Sequence, residues 1–176
     1  MINEEKEFGR TVHYVDSGID TGDIILQRTY PISDFDDYST LLEKAYVECS
    51  DILYEAIKLI QNGKVIAIKQ NDISPCGLYC GMRSVGDEII DWNQTSREIF
   101  NFIRAITKPG PGATSFCTEQ KVIIWKAEEI KDAPKYKGKP GQILVKDEDW
   151  FLVKTKDSYI KVVSWEGKIK VGEVLK

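Results

Sequence analysis

One histidine and three aspartates lie close together near the start of the chain, at His13, Asp16, Asp20 and Asp23. A carboxylate within reach of an imidazole orients the ring and stabilises its charged form, and such a pair can move protons in acyl transfer. His13 is the only histidine, so a proton shuttle built on histidine near neutral pH has to use it. The alternative interpretation is an ordinary strand histidine followed by aspartates that only form turns.

The residues around these groups predict two strands joined by a loop. Thr11–Val15 is rich in β-branched and aromatic residues, which favours a strand, and an apolar strand follows over Ile24–Tyr30 until Pro31 ends it. Turn-forming residues fill the stretch between them. Loops held between strands are where binding and catalytic groups concentrate. The glycines of this loop, Gly18 and Gly22, are expected to meet backbone demands rather than to contact a ligand.

The sequence TVHYVDSGIDTGDIILQ, residues 11–27, resembles the signature of the folate-dependent formyltransferases. This family contains methionyl-tRNA formyltransferase and the nucleotide-amino-sugar N-formyltransferases. The resemblance implies that Asp20 is catalytic, as the aspartate of an Asn-His-Asp set. It implies that His13, and with it Thr11, supports Asp20. The remaining residues of the pattern shape the loop: Asp16, Gly18, Gly22 and Asp23.

A second stretch resembles the C-terminal domain of the same family. Its matching residues are Ile90-Asp91-Trp92, Ile103-Arg104-Ala105, Pro109 and Pro111-Gly112-Ala113, with a strand-like run at Val122–Ala127. Gly110 stands where the family usually has an aromatic residue. The resemblance implies an OB-like domain here. For Trp92 and Arg104 we expect packing and a salt bridge, judging from their place in the helical part.

The resemblance also implies a reaction and shows what this chain lacks. A substrate amine attacks the formyl carbon of 10-formyltetrahydrofolate, and the family's Asn and His donate to the oxyanion while the aspartate helps to remove the amine proton. Family members carry that Asn-x-His motif, and most of the folate pocket, ahead of the segment matched here. No Asn-x-His occurs in these 176 residues. We therefore expect no useful activity from this chain alone.

Length and composition describe an ordinary globular protein. The 176 residues suffice for one domain or two small ones, 42% of them are hydrophobic, and the net charge is −4. No long apolar run or leader pattern is present, so we expect a soluble, cytoplasmic protein without a membrane partner. The cysteines show no disulfide pattern and are interpreted as small, partly buried thiols: Cys49, Cys76, Cys80 and Cys117. A metal site at Cys76 and Cys80, which have three residues between them, is the less favoured alternative.

The first half predicts few elements besides the two strands. Met1–Phe8 is interpreted as the tail of a helix, with Gly9 as its stop. A long helix is predicted over Ser39–Gln61, with Asn62-Gly63 as its end and an apolar stripe that should cover a sheet. The stripe consists of Leu41, Leu42, Ala45, Cys49, Ile52, Leu53, Ala56, Ile57 and Ile60. A short alternating segment follows over Lys64–Gln70.

The second half predicts one helix and a small antiparallel barrel. Thr95 and Glu98 have capping-box spacing before a helix that Pro109 ends. Five short strands are predicted at Thr114–Phe116, Val122–Trp125, Gln142–Val145, Trp150–Val153 and Tyr159–Val163. The fold class is therefore an α/β remnant of a Rossmann-like domain (two strands and a long helix) followed by an all-β, OB-like domain with one helix. The domains are 1–71, a linker at 72–88, and 89–176.

The amine acceptor has two interpretations. The acidic pI of 5.2 favours a nucleotide-linked amino sugar. The other candidate is initiator tRNA, for which the contact surface would be the OB-like domain with Lys131, Lys135, Lys137 and Lys139. A third possibility, from a different functional class, is a non-catalytic module that forms a homodimer through an exposed sheet edge.

Overall fold

The computed structural model describes residues 1–118, 120–135 and 137–176, which form two compact units. The first, here called the loop unit, contains Lys6–Ser33 and Thr40–Arg83. The second, here called the sheet unit, contains Met1–Glu5, Asp34–Ser39 and Ser84–Lys176. Each unit is described separately below.

A two-stranded antiparallel hairpin forms the base of the loop unit. Its strands are β1 (Glu7–His13) and β2 (Ile24–Pro31). The rings of Phe8 and Tyr30 lie 5.6 Å apart across the hairpin, and the Arg10 guanidinium lies 4.2 Å from the Tyr30 ring centre. This arrangement of an aromatic pair with a cation explains why β1 starts earlier than the apolar pattern indicates.

The helix predicted for Met1–Phe8 is therefore wrong. Glu7 and Phe8 belong to β1, and the backbone N–H of Ile32 donates to the Lys6 carbonyl at 2.8 Å, which extends the pairing further. Polar composition suggested a helix end here, but cross-strand pairing decides the conformation. At the other end, β1 stops at His13, two residues before the predicted Val15.

Helix α1 (Tyr38–Gln61) confirms the long predicted helix. Gly63 ends it with a left-handed φ of 61°, and the N–H of Lys64 bonds back to the Leu59 carbonyl at 2.9 Å. The expectation that its apolar stripe is covered is wrong for much of the stripe. Only two of its residues, Ile52 and Ala56, are buried, because a hairpin of two strands is too narrow to cover the helix face.

After α1, the loop unit returns to the hairpin at Ile68. Ile68 forms an isolated antiparallel bridge with Ile24, with N–H···O distances of 2.8 and 2.9 Å, in the segment predicted to alternate. The short helix α2 (Gln70–Ile73) follows directly. Beyond it, Leu78, Tyr79 and Met82 are at least 96% exposed.

Helix α3 (Ser96–Ile106) opens the main part of the sheet unit and has the predicted capping box. Thr95 Oγ1 accepts from the Glu98 N–H at 3.2 Å, and Glu98 Oε2 accepts from the Thr95 N–H at 2.8 Å. The helix buries three isoleucines, each 1% exposed or less, against the sheet: Ile99, Ile103 and Ile106. Burial of each such side chain stabilises the fold by about 1.5–3 kcal/mol.

Five antiparallel strands confirm the five predicted ones. They are β3 (Ala113–Cys117), β4 (Gln120–Glu129), β5 (Ile143–Lys146), β6 (Phe151–Lys154) and β7 (Tyr159–Glu166). Their order in the sheet is β3-β4-β7-β6-β5. The last residues of the chain bridge the two edges of this sheet, since Val174 pairs with Gln142 and Leu175 pairs with Cys117. The sheet is therefore curled so that its edge strands approach a common segment.

The loop between α3 and β3 explains the unusual Gly110. A Cβ atom at this position would lie 2.6 Å from the Ile106 carbonyl oxygen and 2.8 Å from that of Thr107. The Gly110 N–H also donates to the Thr107 carbonyl at 2.7 Å. The turn is thus built around a glycine, and an aromatic side chain has no space at this backbone position.

Three short parts of the sheet unit meet at α3. Arg97 pairs with Glu4 and Asp34 at 2.6 Å and with Glu129 at 3.1 Å. These carboxylates raise the pKa of Arg97, Asp34 most strongly, so its charge is permanent. Two turns later, the buried Arg104 donates to the Asp36 carbonyl at 3.0 Å and to Asn101 Oδ1 at 3.0 Å. Trp92 is also buried, and its Nε1 donates to Ser115 Oγ at 2.9 Å, which confirms the expected packing.

The cysteines correct one expectation, because three of them are exposed: Cys49, Cys76 and Cys80. Cys117 is buried, and burial, with Glu173 alongside, raises the pKa of its thiol to about 11. Within residues 1–118, 120–135 and 137–176 no group of His, Cys, Asp and Glu is arranged to hold a metal ion. Over the same residues, no helix has the length and apolar character needed to span a bilayer.

Candidate functional site

The loop that joins β1 to β2 in the loop unit carries the predicted site residues. The Tyr14 N–H donates to the Asp23 carbonyl at 2.9 Å, so the loop leaves and rejoins the hairpin at one point. Most of the intervening side chains are exposed, including Val15 at 93% and Ile19 at 89%. The hairpin thus presents a loop of exposed residues, an arrangement common for binding sites.

His13 and Asp20 face each other across this loop. His13 Nδ1 lies 2.8 Å from the Tyr14 carbonyl oxygen, which requires a proton on Nδ1. His13 Nε2 lies 3.8 Å from Asp20 Oδ1, close enough for an ion pair when the ring is charged. The Asp20 side chain is 88% exposed and that of His13 24%. The carboxylate is therefore open to an incoming ligand, with the imidazole beside it.

Asp16 organises the first half of the loop. One of its carboxylate oxygens, Oδ1, accepts from the Thr21 hydroxyl at 2.7 Å and from the Gly18 N–H at 2.9 Å. Both bonds favour the ionised form, the Thr21 bond most, and they hold the pKa of Asp16 below its ordinary value. The two bonds bring Gly18 and Thr21 into one turn, and the loop-shaping roles of Asp16 and Gly18 remain predictions.

Thr21→Val is expected to raise the pKa of Asp16 toward its ordinary value, since it removes the strongest bond to the carboxylate. A depressed pKa stabilises the fold above the unfolded-state pKa, and this stabilisation is lost as the pH falls through the folded-state value. The variant should therefore lose less loop stability on acidification than the parent chain. The Asp16 carboxyl ¹³C resonance, followed through an acid titration, measures the change. Thr29→Val, an exposed threonine on β2, is the matched control and should leave the titration unaltered.

Gly22 is buried where the loop touches the end of β1. A Cβ atom there would lie 1.6 Å from the Tyr14 carbonyl oxygen and 3.4 Å from His13 Nδ1. The glycine is required because the backbone passes directly against the carbonyl that orients the His13 ring. This agrees with a loop-shaping role for Gly22.

Gly22→Ala is expected to destabilise the loop unit by about 1–3 kcal/mol, the usual cost of an overpacked site. The new methyl group must push Tyr14 away, which breaks the His13–Tyr14 contact. Urea unfolding followed by the C2 proton of the His13 ring measures the loss, because a chain with one histidine has one such proton. Gly77→Ala is the control, since a Cβ at that position meets nothing within 4 Å. Equal midpoints for the two variants would contradict the packing argument.

Thr11 and Asp23 occupy the base of the loop. Thr11 Oγ1 accepts a hydrogen bond from Gln27 Nε2 at 2.7 Å across the hairpin, so its support of Asp20 remains a prediction. Asp23 contributes its backbone carbonyl to the Tyr14 N–H. The Asp20 backbone has a φ of 55°, a left-handed conformation that is unusual for residues other than glycine, asparagine and aspartate.

Gln70 is a site residue that the sequence did not indicate. Its Nε2 donates to the carbonyl oxygens of Asp20 and Gly22, each at 2.7 Å. The two residues are 50 and 48 positions away, and no local pattern links them. The only feature of the sequence that distinguishes Gln70 is its place as a polar residue at the end of the alternating segment Lys64–Gln70.

Two family models cover most of the chain. The model described as formyl transferase, C-terminal domain, matches residues 84–172, and the formyl transferase model matches residues 1–57, including the whole loop. The chain belongs to the formyl transferase family. The formyl transferases most similar to it include the methionyl-tRNA formyltransferase of Caldanaerobacter subterraneus subsp. tengcongensis, 33% identical over 174 residues, or 98% of this chain and 54% of that protein.

Two formyl transferase crystal structures support the same assignment. One is the N-formyltransferase from Helicobacter canadensis in complex with folinic acid and dTDP-3-aminofucose, at a TM-score of 0.72 and 28% identity, covering 94% of this chain and 58% of that one. The other is WlaRD, a sugar 3N-formyl transferase crystallised in the presence of dTDP and 5-N-formyl-THF. Its TM-score is 0.70 at 26% identity, covering 96% of this chain and 58% of that one. The chain spans about half the length of the curated relatives it matches.

Proposed function

We propose that this chain contributes the aspartate side of a site that transfers a formyl group from 10-formyltetrahydrofolate to a primary amine. The observation that carries the proposal is the exposed Asp20 carboxylate held beside His13, on a loop that lies wholly inside the formyl transferase match. Asp20 accepts the proton that the amine loses as it attacks the formyl carbon. The bond from that carbon to N10 then breaks, and tetrahydrofolate leaves with a proton on N10. His13 lies beside the carboxylate and is held by the Tyr14 carbonyl, so it limits where Asp20 points.

The residues present fit one side of a folate-type substrate. Val15 and Ile19 provide exposed apolar surface on the same loop as the Asp20 carboxylate, a combination suited to a ligand with a flat ring and polar groups. Oxyanion stabilisation requires further donors, and the Asn-x-His motif that supplies them in the family does not occur in this sequence. We therefore propose that the chain alone has no useful turnover.

Reconstitution tests the proposal. The part of the Caldanaerobacter enzyme that precedes its matched region is joined ahead of residue 1, and the product is called the fused enzyme below. Formyl transfer from 10-formyltetrahydrofolate is then measured for the fused enzyme and for the chain alone. Activity in the fused enzyme only is expected. A fused enzyme that folds but transfers no formyl group would reject the proposed function. Turnover by the chain alone would reject the proposal that the chain alone is inactive.

For the acceptor we propose a nucleotide-linked amino sugar, with methionyl-tRNA as the competing candidate. The acidic pI of 5.2 and the solved sugar formyl transferases support the first, and the curated tRNA enzymes support the second. The lysines that would contact tRNA, Lys131, Lys135, Lys137 and Lys139, are all outside the core. An RNA acceptor requires a formylation rate that falls steeply with added salt, because phosphate contacts release counterions. A rate insensitive to salt supports the amino sugar.

For the domain organisation we propose a catalytic-domain end (1–71), a linker (72–88) and an OB-like domain (89–176). The matches to the two family models, at residues 1–57 and 84–172, support this division. The curled five-stranded antiparallel sheet supports the OB-like assignment, since the OB fold is a five-stranded, partly open barrel.

A second candidate function is a self-associating module, which the open edge of β1 favours. The sheet of the loop unit has the order β1-β2, so among the described residues β1 pairs on one side only. Because Lys6 and Ile32 form a hydrogen-bonded pair, such pairs recur at every second residue along β1. Gly9 lies between two of them, so its N–H points away from β2, toward the unpaired side. Open edges template pairing with a second copy.

Sedimentation equilibrium tests this second candidate. A dimer that forms with rising concentration and is abolished by Gly9→Pro is the expected result, because proline removes an edge N–H without disturbing the pairing with β2. A monomer at all concentrations would reject self-association.

A further inference from the structure

The carboxamide of Gln70 grips the loop of the proposed site at two backbone positions. Its Nε2 donates to the Asp20 carbonyl and to the Gly22 carbonyl, each at 2.7 Å. Both partners are acceptors, so the nitrogen end of the carboxamide must face them, and each of its two protons serves one carbonyl. Gln70 is half-buried and follows closely on the Ile68–Ile24 bridge, which ties its segment to β2.

These bonds act where the loop is otherwise weakly held. Asp20 has a left-handed φ of 55°, which aspartate adopts more readily than most residues but which still costs backbone energy. Its side chain is 88% exposed, so packing does not fix it. Asp16 binds the N–H of Gly18 and the hydroxyl of Thr21. Gln70 binds different groups, the carbonyls of the residues on either side of Thr21.

We propose that Gln70 is a positioning residue for Asp20. It fixes the backbone on both sides of Thr21 and so keeps the Asp20 carboxylate directed toward His13 and the incoming amine. A neutral amide is suited to this role. It donates two hydrogen bonds and adds no positive charge that would attract the Asp20 carboxylate away from His13 and the amine. The inference rests on the proposed function for its catalytic meaning, while the clamp itself is a property of the loop.

The first test measures the loop in the full chain by NMR. Gln70→Met keeps the size of the side chain and removes both donors. At one fixed pH, the chemical shift of the His13 C2 proton is compared among the parent chain, Asp20→Asn and Gln70→Met. The Gln70→Met signal is expected to move at least halfway toward that of Asp20→Asn, because the released carboxylate leaves the ring. ¹⁵N relaxation should show new nanosecond motion at Asp20, Thr21 and Gly22.

A matched glutamine and a second variant keep this test decisive. Gln61→Met, at the exposed end of α1, should leave the His13 signal and the loop relaxation as in the parent. Gln70→Glu also keeps the size of the side chain, but its ionised carboxylate cannot donate, so the same changes are expected as for Gln70→Met. It provides the test if Gln70→Met fails to fold. An unchanged loop in the folded Gln70 variant would overturn the clamp.

The second test uses the fused enzyme and separates positioning from folding. Misplacement of a reacting group by about 1 Å can cost about 100-fold in rate, so Gln70→Met should lower kcat by about 10–100-fold. The KM for 10-formyltetrahydrofolate should stay within about twofold, because the substrate contacts are retained. An unchanged kcat would overturn the positioning role. If the parent fused enzyme is inactive, the proposed function fails, and the NMR comparison still decides the clamp.

Discussion

Replacing Asp20 by asparagine is expected to lower kcat of the fused enzyme by about 100-fold or more. This is the lower end of the rate loss usually seen when a positioned general base is removed. Asparagine keeps the size of the side chain and tolerates the left-handed φ of 55° as well as aspartate does. It cannot take the proton that the attacking amine must lose. The loss is therefore expected in the chemical step, and the measurement is the steady-state rate of formyl transfer with saturating 10-formyltetrahydrofolate.

Asp51→Asn provides the matched control for this prediction. Asp51 is exposed on α1 in the same unit, so its replacement removes an equal charge at a position outside the loop. The control should keep its rate within about twofold of the parent. If both variants lost activity equally, the loss would reflect charge or folding. If Asp20→Asn kept full activity, Asp20 would not be the base.

The loop was predictable from sequence because its requirements are local. Gly22 is there because the chain passes against the Tyr14 carbonyl, and Asp16 is there because its carboxylate bonds to residues two and five positions ahead. A pattern of closely spaced residues can encode such contacts. The same holds for α3, whose capping box links residues three apart, Thr95 and Glu98.

Contacts between distant segments were not predictable in this way. Gln70 reaches a loop about 50 residues earlier, and Arg97 gathers carboxylates from Glu4, Asp34 and Glu129. Neither residue differs in its local sequence pattern from an ordinary exposed polar residue. The strand at Glu7–Phe8 was missed for the same reason, since its conformation depends on pairing with β2 rather than on its own composition.

The covering of α1 could not be judged from periodicity alone. A stripe at spacings of three and four shows which face is apolar, but it does not show how wide the covering sheet is. In the loop unit that sheet has two strands, and several stripe residues remain exposed, including Leu53 and Ile57. In the sheet unit the corresponding expectation holds, because five strands are wide enough to bury the apolar face of α3.

Phe151→Ala is expected to lower the free energy of unfolding of the sheet unit by about 3–5 kcal/mol, the usual loss for a large aromatic side chain in a core. Phe151 begins β6 and is fully buried, and its ring meets that of Trp165 edge-on, with ring centres 4.9 Å apart. The substitution loses the free energy gained by burying the ring, and it leaves a cavity whose neighbouring side chains lose their contacts with the ring. A typical domain is stable by only about 5–15 kcal/mol, so the variant should lie near its unfolding threshold.

Tryptophan fluorescence during urea unfolding measures this effect selectively, because all four tryptophans belong to the sheet unit: Trp92, Trp125, Trp150 and Trp165. Phe35→Ala is the matched control, since Phe35 belongs to the same unit but is 96% exposed. Its loss should stay within about 0.5 kcal/mol, as for most surface substitutions. Similar losses for the two phenylalanines would show that the core does not close around Phe151, and the stability of the sheet unit would then have to come from elsewhere, such as the Arg97 ion pairs.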